Sequence, residues 1–387
     1  MSLFWSKKPS EEKKPSEEKS SGAGEKSSGS GVTQAQVLAA LSKVKDPDLH
    51  RDLVSLNMIK EVSINHSKVS FTIELTTPAC PVKSKLEREA REAVMQIPGV
   101  TDVDVKMTSK VQSAGFGDHS PVPRVKNIVA VGSGKGGVGK STVSVNLAVA
   151  LAECGASVGL LDADIYGPSL AMMMGASSKD LPPSHGSKMI PPTRYGVKLI
   201  SLGFILPDTS TPLVWRGPMV GKAVDQLLSD VEWGELDYLI VDLPPGTGDA
   251  QLTLAQRVPV SGAVVVTTPQ DVALLDVIKA LNMFRKVNIP ILGIIENMSY
   301  LECPHCHERV EIFKYGGGRR ASEQQGVPFL GEISINPEIP IGSDTGIPII
   351  KSHPDSAQAK QFMEIAQAMA ARLSALNYER STLKIIN

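Results

Sequence analysis

Residues 128–142 read IVAVGSGKGGVGKST, and the run VSVNLAVALA follows directly at 143–152. A short apolar stretch opens into a glycine-rich turn, and the turn opens into a helix-forming segment. A strand, then G-x-x-x-x-G-K-[ST], then a helix is the setting in which such a loop holds phosphate. The glycines let backbone N–H groups turn inward around phosphate oxygens. The helix that begins near Lys140 adds the positive end of its dipole. Gly134, Lys135, Gly136, Gly137, Val138, Gly139, Lys140, Ser141 and Thr142 are therefore the expected nucleotide-binding residues, with ATP as the ligand. Lys140 is expected to reach the β- and γ-phosphates, Ser141 to ligate Mg²⁺, and Thr142 to lie near the α-phosphate.

From about residue 126 onward, further apolar runs recur: VGLLD (158–162), YLIVD (238–242), AVVVTT (263–268), ILGII (291–295) and PFLG (328–331). Helical segments lie between most of them. Continuous apolar strands alternating with helices predict an α/β fold, a doubly wound and mainly parallel sheet with helices on both faces. A final helix at roughly 354–376 closes it. Two strand ends carry carboxylates. VGLLD opens into DADIYGPS (162–169), where Asp162 and Asp164 share a face if the strand continues. One is expected to support Mg²⁺ and the other to orient an attacking water. YLIVD opens into LPPGTGD, with Asp242 placed to hold Mg²⁺ through water. The following Gly246-Thr247-Gly248 reads as a switch loop that senses the γ-phosphate. A lone Asp at a strand end is usually a helix cap. Three at the carboxyl ends of strands in one doubly wound sheet point to the ligand-binding edge.

Four cysteines in 387 residues do not make a disulfide framework. Cys303 and Cys306 form CPHC, expected in a loop after ILGII and ENMSYLE. One pair supplies two thiolates, whereas a closed four-thiolate site needs two more. Cys80 and Cys154 offer no second pair, but a twofold dimer presents the same two thiolates twice. The simplest reading is a [4Fe–4S] cluster bridging two subunits. Other readings remain open: zinc on the same pairs, zinc within one chain with His305 or His307 added, a thioredoxin-like redox pair, or cysteines that bind nothing. Redox pairs normally begin a helix beside a strand. Cys80, in TTPACP (76–81) before a helix, reads either as a thiol of lowered pKa or as a small buried residue. Cys154, in an apolar run, reads as core packing.

The rest of the chain is organised around this region. Residues 1–32 form a low-complexity tail in which KKPSEE occurs at 7–12 and again at 13–18. Such a composition cannot bury enough surface to order itself, and its charges nearly cancel, which suits a tether. Residues 33–107 read as a small α/β domain. A helix is expected at 33–43, and the alternation of Val69, Phe71, Ile73 and Leu75 gives a strand. A charged helix at about 82–96 and a strand at 100–106 follow. A linker (108–125) leads to the large domain (126–387). Lys+Arg 40 against Asp+Glu 41 leaves a net charge of -1, so neither nucleic acid nor an anionic membrane is expected as the main partner. No apolar run reaches bilayer length, and Leu3, Phe4 and Trp5 are followed by lysines and glutamates rather than a secretory core. The expected location is the cytoplasm.

With Lys135 at its second position, GKGGVGKST resembles the deviant Walker A motif, KGGxGK[ST]. Dimeric P-loop ATPases share it, among them the nitrogenase iron protein and the cell-division and partition ATPases. The resemblance implies that Lys135 crosses a dimer interface to the partner's nucleotide, where a second cation offsets charge on the leaving phosphates. It further implies Lys135, Lys140 and Asp164 as catalytic residues, Asp164 acting on the water, with Asp162 in the metal shell beside Ser141 and Asp242. Asn297, just past ILGII, becomes an adenine contact, with a turn-forming Asn as the alternative. The order GKGGVGKST, DADIYGPS, VDLPPGTGD, ENMSYLECPHC resembles the Mrp/ApbC iron–sulfur carrier ATPases over roughly 126–376. WRGPM (215–219) and SDTGIP (343–348) look like that family too. The small domain, with DPDL at 46–49 and TTPACP, resembles the MIP18-type (DUF59) domain often fused ahead of them. The family implies a homodimer that holds a [4Fe–4S] cluster on Cys303 and Cys306 and passes it from an assembly scaffold to apo iron–sulfur proteins. Slow, Mg²⁺-dependent ATP hydrolysis serves as the switch. Two alternatives are a ParA/MinD-like spatial-positioning ATPase and a zinc-bridged dimeric ATPase. The first has no need of the cysteine pair, and LNYERSTLKIIN (376–387) offers no long basic amphipathic face for a membrane.

Overall fold

Apolar runs separated by glycine-rich turns become buried strands. A computed structural model describes residues 31–115, 120–164, 167–181, 184, 188–204 and 217–386. The KKPSEE repeats, Ile165 and Tyr166 of DADIYGPS, and Trp215 and Arg216 of WRGPM lie outside the described residues.

The small domain begins with α1 (Gln34–Leu41). Thr33 caps it: its hydroxyl accepts from the Gln36 N–H, and the Gln36 side chain accepts from the Thr33 N–H at 2.8 Å, a reciprocal capping box. Next come β1 (Ile59–Asn65), β2 (Lys68–Leu75), α2 (Lys83–Met95) and β3 (Asp102–Ser109). The sheet order is β1-β2-β3, antiparallel then parallel. Sequence reading missed β1. Its alternation is broken by a bulge between Lys60 and Ser63, where Glu61 takes φ 50, and one side of this edge strand stays exposed.

The large domain runs β4 (Val125–Ser133), α3 (Lys140–Glu153), β5 (Val158–Asp162), β6 (Val197–Ser201), α4 (Gly217–Ser229), β7 (Leu236–Asp242), α5 (Asp249–Arg257), β8 (Gly262–Thr267), α6 (Asp271–Lys286), β9 (Ile291–Glu302), β10 (Arg309–Val310), α7 (Gly317–Gln325), β11 (Phe329–Ile335), α8 (Glu338–Thr345) and α9 (Ala357–Ile386). Across the sheet the order is β10-β9-β8-β4-β7-β5-β6, ending on the two-residue strand Thr193–Arg194, with β11 also pairing with β9. Every pairing among β4 to β9 and β11 is parallel; β10 and Thr193–Arg194 pair antiparallel. Two apolar cores cover the two faces, one built with α3 and α9, the other with α4 and α6. The doubly wound, mainly parallel sheet is thus the observed fold. The last helix does not stop near 376 but continues to Ile386, since neither Gly nor Pro interrupts the chain beyond Ala357.

The small domain seats on the amino-terminal edge of this sheet. The hydroxyls of Thr77 and Tyr238 are buried and 2.9 Å apart, and Ala79 belongs to the core formed with α3 and α9. Asn377 donates to Asn127 Oδ1 at 2.7 Å, and Asn127 Nδ2 donates to the Gln112 carbonyl at 2.9 Å. Lys126 pairs with Asp237 at 2.8 Å. The phosphate loop lies at the opposite edge. Along β4, Ser133 is six residue steps from Asn127, roughly 20 Å at strand rise.

Candidate functional site

The loop between β4 and α3 is shaped by what lies behind it. A Cβ on Gly134 would stand 2.3 Å from the Asp276 carbonyl of α6, and one on Gly139 only 2.2 Å from Asn297 Nδ2. Gly139 also takes φ 78, which favours glycine. Asn297 Nδ2 donates to the Val138 carbonyl at 2.9 Å, so this buried amide braces the loop from beneath. Asn297 lies inside β9, not just past it: ENMSYLE continues the strand to Glu302.

Behind the loop is a buried polar cluster. Asp242, fully buried, accepts from Lys140 Nζ at 2.7 Å and Ser141 Oγ at 2.6 Å on one oxygen, and from Ser144 Oγ at 2.6 Å on the other. Lys140 Nζ also lies 3.9 Å from Asp164 Oδ2. Asp162 sits one strand over, in register with Asp242. Its oxygens accept from the Asp164 N–H at 3.2 Å, the Leu170 N–H at 3.2 Å and Ser201 Oγ at 2.9 Å. Burial, and then the Asp242 carboxylate, push the Asp162 carboxyl up to about 7. The fold thus brings Lys140, Ser141, Asp162, Asp164 and Asp242 together. Lys135 is half-buried on the loop's outer side, and its carbonyl accepts from Ser133 Oγ at 2.9 Å. The hard oxygen donors of Ser141 and Asp242 beside Lys140 fit a magnesium–nucleotide.

Sequence reading overlooked two hydroxyls in this cluster. Ser144 lies one helical turn beyond Ser141, a spacing that puts both on one face. Ser201 ends β6, a five-residue strand next to the sheet's edge, too short and too polar in its flanks to stand out.

Cys303 and Cys306 lie at the tip of a hairpin. Leu301 and Glu302 at the end of β9 pair with Val310 and Arg309 of β10, leaving Cys303–Glu308 as the loop. The Cys303 N–H donates to the Glu308 carbonyl, and the His307 N–H to the Cys303 carbonyl, both at 2.9 Å. The backbone N–H groups of Cys306 and His305, and the Cys306 thiol, hold the Cys303 thiol below its ordinary range. A turn that aims amides at sulfur favours thiolate, the form that binds metal. Cys303 is half-buried and Cys306 exposed. His307 is tied to Glu302 Oε1 at 2.9 Å. Among the described residues, no three His, Cys, Asp or Glu side chains cluster as a metal site.

Below the hairpin, the Arg309 guanidinium stacks 3.8 Å from the Tyr300 ring centroid and 3.5 Å from that of Tyr315. Glu296, buried in β9, accepts from Ser299 Oγ at 2.5 Å, from the Gly316 N–H at 3.0 Å and from the Gly318 N–H, anchoring the start of α7. A carboxylate inside the apolar run ILGIIENMS was the signal for it, and sequence reading passed it by.

The other two cysteines are structural in character. Cys80 was considered as a thiol of lowered pKa at a helix start. Instead burial, with Asp46 and Asp48 nearby, pushes it up to about 11 against the weaker effect of the Val82 N–H. Cys154 caps α3, half-buried, with Sγ 3.4 Å from Met363 Sδ.

A family described as NUBPL iron-transfer P-loop NTPase matches residues 124–370. The chain belongs to this family. A second family, described as iron–sulfur cluster assembly protein, matches residues 34–107. Among NUBPL-family relatives, an iron–sulfur cluster carrier protein of Deinococcus radiodurans is 49% identical over 338 residues, covering 87% of this chain and 95% of its own. The carrier protein of Synechocystis is 48% identical over 348 residues, covering 89% and 98%. The chloroplast Fe–S cluster assembly factor HCF101 of Arabidopsis thaliana is 43% identical, covering 91% of this chain and 66% of its own. A nucleotide-binding protein of Archaeoglobus fulgidus, solved with ADP, superposes with a TM-score of 0.53 at 39% identity, over 60% of this chain and 90% of that one. No helix among the described residues is long and apolar enough to cross a membrane.

Proposed function

We propose that the chain is an ATP-switched carrier whose cargo is a [4Fe–4S] cluster held between two copies, each contributing Cys303 and Cys306. The observation that carries this reading is the hairpin: two thiols in a turn whose amides point at Cys303, on a strand that also touches the phosphate loop. Four thiolates complete such a cluster, and a twofold axis through the hairpins supplies them. The similarity to iron–sulfur cluster carrier proteins supports the cargo.

Gly134 to Thr142 cradle the phosphates, and Lys140 reaches from the Asp242 cluster toward them. Ser141 and Asp242, with Asp162 beside them, would hold Mg²⁺, which would supply charge neutralisation at the phosphate oxygens. Asp164 orients the attacking water, and Lys135 extends to the nucleotide of the second copy. Asn297, whose amide braces Val138, also contacts the adenine. Hydrolysis is slow, as suits a switch rather than a metabolic catalyst. The cluster is received from an assembly scaffold and delivered to apo iron–sulfur proteins in the cytoplasm.

Anaerobic reconstitution with ferrous iron and sulfide tests this. The expected product is a dimer in sizing under argon, with about four iron per two chains, and Cys303→Ala loses the cluster spectrum. A full spectrum in Cys303→Ala, a loaded monomer, or zinc in place of iron after anaerobic purification overturns it.

A further inference from the structure

Residues 296–302 of β9 touch both functional regions. Asn297 holds the Val138 carbonyl of the phosphate loop at 2.9 Å, and the Met298 side chain lies close to Gly139, within 3.7 Å of the Cβ position there. Cys303 lies five residues beyond Met298, directly after the strand's last residue, Glu302. Between these points the strand is irregular. Asn297 pairs with Ile333 and Leu301 with Ile335, so three residues of β9 face the single Ser334 of β11. Met298 at the start of this bulge takes φ 54, a left-handed conformation that a long side chain seldom adopts. Backbone in sparse conformations collects at switch points, where two arrangements lie close in energy. Tyr300, within the bulge, is one of the two rings that clamp Arg309 of the cysteine hairpin. Tyr315, the other, adjoins Gly316, which donates to Glu296. Both ends of the bulge are therefore anchored, one to the phosphate loop and one to the hairpin.

We propose that this bulged segment is the mechanical link between nucleotide and cargo, with Asn297 and Arg309 as positioning residues at its two ends. The inference rests on the nucleotide-switched carrier reading and names its route. When the phosphate loop closes on a nucleotide, the Val138 carbonyl moves. Asn297 carries that displacement into Met298, the bulge shifts register or twist, and the Tyr300–Arg309–Tyr315 stack turns the hairpin. The two thiols change their spacing and exposure without contacting the nucleotide.

The test reads the thiols of the full apo chain, not its activity. Maleimide labelling at Cys303 and Cys306 is followed by peptide mass spectrometry under argon. It is run with saturating Mg²⁺–ADP and with saturating non-hydrolysable Mg²⁺–ATP analogue. The unmodified chain is expected to show about a threefold or larger ratio between the two states, a free-energy difference near RT. Arg309→Lys keeps the charge but loses the planar stack. It should bring the ratio to about one while fluorescent-nucleotide affinity and the melting temperature stay unchanged. Asn297→Ala, which touches the phosphate loop and is therefore assayed at nucleotide concentrations that saturate that variant, should also bring the ratio to about one, and Met298→Gly should diminish the ratio by softening the bulge. A ratio retained in both Arg309→Lys and Asn297→Ala overturns the route while leaving the switch intact. The absence of any nucleotide dependence in the unmodified chain overturns both.

Discussion

The two edges of the large sheet hold chemistry of opposite character. At the carboxyl edge, Asp162, Asp242 and Lys140 are buried together, and Asp162 is held in tension by its neighbour's charge. Cys303 there is half-buried on an outer hairpin and biased toward thiolate. At the amino edge, several polar groups by the small domain are paired: Thr77 with Tyr238, Asn127 with Asn377, Lys126 with Asp237. Cys80, in the loop seated there, is biased away from thiolate. The difference teaches that this sheet gathers a buried lysine with its carboxylates where it binds and relies on neutral pairs and a surface ion pair beside the docked domain. A binding edge must leave room for a ligand's charge, while a docking edge need only be stable.

The sharpest way to break this comparison is to ask the thiols. At pH 7, with Cys80 at about 11 and Cys303 below its usual 9.0, the thiolate populations differ by more than ~100-fold. The intrinsic nucleophilicity of the less acidic thiol returns about tenfold of that. Iodoacetamide should therefore modify Cys303 at least about tenfold faster than Cys80, as read by time-resolved peptide mass spectrometry. Equal rates would erase the contrast.

A second prediction concerns Asp162. Its folded-state pKa of about 7 exceeds the ordinary 3.8. Between those values the folded chain keeps a proton that the unfolded chain has lost. The stability this contributes is whole below about 3.8 and is gone once the pH passes about 7. Asp162→Asn never carries the charge, so above pH 7 it should stabilise the nucleotide-free chain by on the order of 3 kcal/mol. The gain should shrink toward zero near pH 4. Denaturant titrations of the two proteins at several pH values measure it. A pH-independent difference would show that the carboxylate conflict is absent.

Smaller effects are expected at the docking edge. Tyr238→Phe removes one buried hydrogen bond and should cost about 1 kcal/mol, with faster alkylation of Cys80 as the small domain loosens. Unchanged Cys80 labelling alongside a lowered melting point would separate the seating of the loop from this bond. Lys126→Met, at a half-exposed ion pair, should cost below ~1 kcal/mol and lose most of that in high salt.

Much of this architecture was legible in the sequence because it rests on local rules. Continuous apolar runs, several of them ending at Gly or Asp, mark the strands of a buried parallel sheet, and GKGGVGKST in its setting marks the loop. Other features depend on distant residues and left no local trace. Nothing near Asn297 says that its amide will meet Val138. Only the crossing of β9 beneath the phosphate loop decides that. The burial that raises Cys80 comes from how its loop is seated, and it outweighs the helix start that sequence alone can see. β1 was missed because its bulge spoils the alternation by which half-buried strands are recognised.

Ala79, a small-domain residue, is counted among the side chains of the large core. Cutting the chain between residues 109 and 125 would therefore not yield two finished modules. It would leave an apolar socket around Tyr238 open to water and strip the plug from its partner. The two regions should unfold in one calorimetric peak, and the isolated ATPase half should be the more prone to precipitate.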